Sequence, residues 1–201
     1  MIRPLALLLS LTLLSDLSGP WTLTKDKDQI TTYIGKPDEN GLKPTRSVMK
    51  IAGSPDMVLE RLQDIASYPS WIPYCERTEV LDRPNDSTFY YYQFMDMPLV
   101  KNRDLIVKVT TTRTPAGYSI NMQVAPGHIP LNDDAVRISI FAAEYSLVQQ
   151  AGTDSTEIML YNKVDPGGFI PTFALNWASR SQPFETFSNL KAHITSHQNR
   201  N

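Results

Sequence analysis

Residues 117–125, GYSINMQVA, put Tyr118, Ile120, Met122 and Val124 on one side of an extended chain and Ser119, Asn121 and Gln123 on the other. Side chains alternate between faces in a strand, so a period of two specifies an antiparallel strand with one buried face. Weaker versions of the pattern cover 29–34, 45–52, 76–83, 88–95, 103–113, 135–148 and 155–164, and the turn-forming stretches RPND, TPAG and AGTD separate several of them. The charged KDKD at 25–28 reads as a further, solvated turn. Strand follows strand across short polar turns, which predicts a meandering antiparallel sheet. A sheet with one apolar face needs something to cover it.

Two segments switch to helical spacing. Ser54 can cap a helix that Pro55 opens, with Val58, Leu59, Leu62, Ile65 and Ala66 on one face, and the prolines of YPSWIPY end it. A second helix is predicted from about Ile170 to His193, carrying Phe173, Trp177, Phe184, Phe187 and Leu190 on one stripe and kinked by Pro183. Just before it, Gly167 and Gly168 allow backbone angles closed to other residues, and Pro171 suits a first helical turn. A long terminal helix with an aromatic stripe lies naturally on a curved sheet. The expected class is α+β, a curved antiparallel sheet gripping a long C-terminal helix.

The chain has 201 residues, 41% of them hydrophobic, enough for one buried core, and no break in composition marks a second. Nineteen basic and twenty-one acidic side chains give a net charge of −2 without a basic run, which argues against nucleic acid as a partner. The apolar run Leu5–Leu14 follows Arg3 and precedes SDLSGP, the layout of a secretory signal peptide. It is shorter than the roughly twenty residues of a membrane span. Residues 1–20 are therefore expected to be a signal peptide and residues 21–201 the exported domain, periplasmic or secreted. Cys75 is the only cysteine, so no intramolecular disulfide forms and a buried structural thiol is expected.

Four blocks resemble a known family: WTLTKDKDQITTY (21–33), YPSWIPYCERTEVL (68–81), MPLVKNRDLIV (97–107) and DPGGFIPTFALNW (165–177). In that order they resemble the START lipid-transfer domains of the helix-grip superfamily, in particular the bacterial type. The resemblance implies an internal hydrophobic cavity between sheet and terminal helix, which holds one lipid-like molecule under a movable lid. The candidate ligand-contacting residues are Arg103, Tyr91, Met95, Val107, Met122, Phe169, Phe173, Trp177 and Phe184, of which the stripe Phe173, Trp177 and Phe184 is either ordinary core or the inner side of the lid.

Arg103 shares strand parity with Leu105, Val107 and Val109, so it should point to the apolar side. Either backbone carbonyls or a carboxylate satisfy it there, or it anchors a headgroup. The apolar Met95, Met97, Leu99 and Val100 between two strands are either packed or form a gate that touches membrane. No nucleophile elbow, metalloprotease helix, C-x-x-C, phosphate loop or dinucleotide fingerprint occurs in the sequence. His193 and His197 have metal-compatible spacing without a third ligand nearby, and His128 is a general base only if it faces the interior. The reading is a monomeric, non-catalytic lipid-binding domain with no cofactor and no metal. A cyclase-, dehydratase- or hydrolase-type enzyme and a closed interaction domain are the alternatives.

Overall fold

The computed structural model describes residues 20–198 of the chain, so the expected signal peptide lies outside the described residues except for Pro20. Strands β1 (Thr22–Lys27), β2 (Ile30–Ile34) and β3 (Thr45–Ala52) lead into α1 (Pro55–Gln63) and a 3-10 helix (Ile65–Ser70). There follow β4 (Cys75–Asn85), β5 (Thr88–Met95), β6 (Asn102–Thr114), β7 (Gly117–Val124), β8 (Ala135–Arg137), β9 (Ile140–Gln149) and β10 (Ser155–Asp165). Helices α2 (Thr172–Arg180) and α3 (Gln182–Gln198) end the described chain. The ten strands form one sheet in the order β1-β2-β3-β10-β9-β7-β6-β5-β4, with β8 on β6. Two meanders are thus joined where β3 pairs antiparallel with β10, and α1 carries the chain from one to the other.

Local signals account for α1. The Ser54 hydroxyl accepts from the Met57 N–H at 3.3 Å, Pro55 occupies the first turn, and Val58 and Leu62 are buried on one face. The terminal helix differs from the expected single kinked rod. It is two helices, because Pro183 has no N–H to donate back to residue 179 and its ring excludes that carbonyl. The Ser181 N–H closes α2 on the Trp177 carbonyl at 2.8 Å, and α3 starts afresh with the Glu185 N–H on the Ser181 carbonyl at 3.1 Å. Phe187, Leu190 and Ile194, spaced by three and four, are fully buried in the main core.

Two strand expectations are corrected. The charged KDKD segment at 25–28 is mostly strand β1 rather than a turn; β1 is an edge strand, where charged outward side chains are tolerated and protect against edge pairing. The continuous strand expected over 135–148 is divided into β8 and β9. β7 runs only from opposite Thr114 to opposite Val107, which leaves the first residues of β6 with an open edge. β8 fills that edge in parallel, Asn102–Asp104 against Ala135–Arg137, the one parallel pairing of the described sheet.

The sheet is apolar on both faces over β5 and β6. Inward side chains join a core with α1, the 3-10 helix and α3, whereas Tyr92, Phe94 and Ile106 form an outer cluster with Ala125 and Ala135. The segment 125–138 covers that outer cluster. Its anchor is Arg137, whose Nε and Nη2 donate to the two carboxylate oxygens of the wholly buried Asp104 at 2.8 and 2.9 Å. Tyr92 also donates to Asp104 at 3.2 Å.

Candidate functional site

The inward positions of four strands lose burial toward one end. On β10, Thr156 and Ile158 are buried but Leu160, Asn162 and Val164 are only partly so. β9 runs from buried Leu147, Tyr145 and Ala143 to half-buried Phe141, β7 from Ile120 and Met122 to Val124, and β5 from Phe89, Tyr91 and Gln93 to Met95. β6 reaches the same end at Arg103. There the chain turns through Gly167 and Gly168, both with positive φ (65° and 63°), and enters α2. Only glycine adopts two successive left-handed conformations without steric cost, so the turn expected from the sequence is built as expected.

Arg103 organises this end. It is 1% exposed and points to the inner face. Its guanidinium donates to the carbonyls of Gly167 at 3.0 Å, Pro166 at 3.3 Å and Lys101, with Phe169 O at 3.5 Å. Desolvation lowers its pKa. The side chain therefore ties the β5–β6 loop to the turn that precedes α2. Leu99 and Phe169, on those two segments, are 89% and 85% exposed, and Leu131 is 75% exposed on the segment whose Val136 packs against Gly167 and Gly168. Leu99 also holds a positive φ of 68°, a strained value for a residue with a side chain.

Of the other residues marked from the sequence, Tyr91, Val107 and Met122 lie buried on the inner face, and Met95 is partly buried beside them. Trp177 meets the ring of Tyr74 edge-on with centroids 5.2 Å apart, so α2 rests on the segment before β4. Phe184 packs on the core under the ammonium of Lys25, 3.8 Å from its ring centroid. Phe169 faces solvent, and the side chain of Phe173 lies outside the described residues. Gln93, Tyr145 and Asn162 were not singled out from the sequence, although each shares parity with its strand's buried residues.

His128 packs against Tyr90, centroids 4.3 Å apart, which places it on the outer face with Tyr92 and Phe94. The sheet separates it from the interior. His193 and His197 contact each other on α3, and the described residues contain no group of three or more potential metal ligands. Cys75 is buried, and desolvation pushes its thiol up to about 12, so it is not a nucleophile at neutral pH.

Burial likewise raises Tyr68, Tyr91 and Tyr145 well above the ordinary 10.0. All four groups stay protonated in the folded chain at pH values where the unfolded chain ionises. Stability is therefore complete below about pH 8 and falls as pH rises, by about 1.4 kcal/mol per pH unit for each group that ionises only on unfolding. Urea midpoints measured from pH 8 to 11 check this; a flat profile would show these groups to be solvated.

The arrangement defines a class, a helix-grip domain whose curved antiparallel sheet packs its inner face on the terminal helix α3. The family follows from comparison with known proteins. The model of the START domain family matches residues 8–200, and the chain belongs to that family. An uncharacterised protein of Pseudomonas aeruginosa is 27% identical over 178 residues, 88% of this chain and 87% of its own. The crystal structure of a STAR-related lipid transfer protein from Xanthomonas axonopodis is 26% identical with a TM-score of 0.79, covering 87% of this chain and 98% of that one. A Streptomyces aromatase/cyclase shares the fold at a TM-score of 0.56 and 13% identity, over 77% of this chain and 94% of that one. The fold by itself thus does not choose between binding and catalysis.

Proposed function

We propose that this protein binds a lipid or similar hydrophobic molecule between the inner sheet face and helices α2 and α3, and carries it without chemical change. The observation that carries this reading is the burial gradient: Phe141, Leu160, Val164 and Met95 face inward yet keep accessible surface at the end where α2 begins. Apolar surface left open inside a curved sheet is a ready seat for an alkyl chain, and burying about ten methylenes contributes roughly 8 kcal/mol before ordering costs. Tyr91, Val107, Met122 and Met95 form the wall in this reading, and α2, resting through Trp177 on Tyr74, is the lid.

The outer-face position of His128 favours binding over catalysis. The exposed Leu99, Phe169 and Leu131, on segments joined through Arg103 and Val136, supply a surface for transient contact with a membrane during exchange. Residues 1–20 in this reading direct export. The test is native mass spectrometry of protein recovered from the exported fraction, with organic extraction of whatever is bound. A monomer lacking residues 1–20 and carrying a stoichiometric adduct of lipid mass is expected, with the adduct reduced in Trp177→Ser. A clean apo mass with no uptake from a lipid mixture would sink the carrier reading.

A further inference from the structure

Four uncharged polar side chains on the inner face lack the partners that buried polar groups normally have. Tyr91, Tyr145 and Gln93 are 1%, 6% and 6% exposed, and among the described residues neither phenol nor the Gln93 amide has a hydrogen-bond partner. The Asn162 Oδ1 is buried and also has none. Two other buried polar groups of the same interior are satisfied within the chain: Tyr68 donates to the Leu62 carbonyl at 2.8 Å and Thr156 to the Gly53 carbonyl at 2.7 Å. Leaving a buried acceptor unmade costs about 1–3 kcal/mol, so the Asn162 Oδ1 calls for an explanation, and the two phenols and the Gln93 amide lie on the same inner face as further polar groups free to meet a ligand.

The four also stand together. Tyr145 lies opposite Leu160 in the β9–β10 ladder, with Asn162 two residues further along the same face. Gln93 is two residues from Tyr91 on β5, facing the same way. Tyr91 and Tyr145 belong to the same buried cluster on the inner face of the sheet. The inward positions of β3, β5, β6, β7, β9 and β10 hold two charged side chains, Arg103 and Arg113. Arg103 is engaged by backbone carbonyls, and Arg113 is exposed at the far end beside Asp56.

We infer that Tyr91, Tyr145, Gln93 and Asn162 form a neutral hydrogen-bonding anchor that selects a ligand with an uncharged polar end, a hydroxyl, amide or ester, over an anionic lipid of the same chain length. This rests on the binding reading above. Phenols and amides each both donate and accept, which suits a group that does the same. Lys25 of the edge strand β1 lies over the Phe184 ring but is exposed, so a carboxylate or phosphate held by the four would meet donors but no buried countercharge, and desolvating an unpaired charge is far costlier than desolvating a hydroxyl.

The test offers the delipidated full-length protein monopalmitoylglycerol, palmitate and hexadecane in competition at pH 8, read by native mass spectrometry. Monopalmitoylglycerol should be taken up about tenfold or more over palmitate. Tyr145→Phe and Gln93→Leu should each cut its uptake by roughly threefold to tenfold without weakening hexadecane. Tyr145→Phe should leave Tm unchanged or raise it, because the hydroxyl it deletes is unpaired without ligand. Palmitate equal to or above monopalmitoylglycerol, unchanged ratios in the variants, or a lowered Tm in Tyr145→Phe would each overturn the anchor while leaving lipid binding intact. Refusal of all three probes, hexadecane included, would remove the binding reading and the anchor with it.

Discussion

Arg137→Met should lower the free energy of unfolding by about 3–5 kcal/mol, because it strands a carboxylate that has no access to water. Asp104 is 0% exposed, under the segment that covers the outer face of the sheet. Arg137 meets both of its oxygens and also donates to the Pro130 carbonyl at 2.9 Å, so one side chain neutralises the charge and pins the covering segment. The hydrogen bond to Asp104 in turn raises the arginine's pKa, so the guanidinium stays charged throughout the physiological range. Methionine keeps the length of the arginine stem but none of its donors. In the double variant Asp104→Leu, Arg137→Met the buried charge is gone as well, and most of the loss should be recovered. Urea unfolding of the parent, the single and the double variant checks this. A single-variant loss below about 1 kcal/mol would mean that the carboxylate is hydrated and the pair behaves as a surface salt bridge.

Arg103→Met should cost about 3 kcal/mol and act at the turn before α2 rather than evenly. The carbonyls of Lys101, Pro166 and Gly167 would lose their donor at once. The β5–β6 loop and the turn before α2 would no longer be tied. Backbone amides at 97–101 and 166–180 should then exchange at least about tenfold faster than in the parent, while those of β9 and β10 follow the global loss alone. Arg103→Lys should recover less than half, since one ammonium cannot replace a planar fork that reaches carbonyls on two segments. Equal protection of 166–180 in parent and variant would show that the turn is held by its glycine geometry and not by the guanidinium.

Local chemistry explains which features are legible in the sequence. β3 and β5 fall where the sequence puts them, at Thr45–Ala52 and Thr88–Met95, because β3 alternates between its faces and β5 is a short aromatic run that follows a turn signal. Ser54 and Pro55 mark the start of α1 because their effect is confined to one turn of backbone, and Gly167 and Gly168 mark the left-handed turn for the same reason. The inward direction of Arg103 is legible as parity. Its partners are not, since Pro166 and Gly167 lie more than sixty residues away and offer carbonyls, which every residue has.

The strands, the helix starts, the inner face and the family resemblance are thus all carried by neighbours along the chain. Long-range packing decided the rest: that β8 closes the open edge of β6 and that His128 lies behind the sheet. It also brought Tyr91, Gln93, Tyr145 and Asn162 into one interior without partners. Burial and hydrogen bonding between distant strands depend on which surfaces the fold brings together, and that is a property of the packed chain rather than of any window along it.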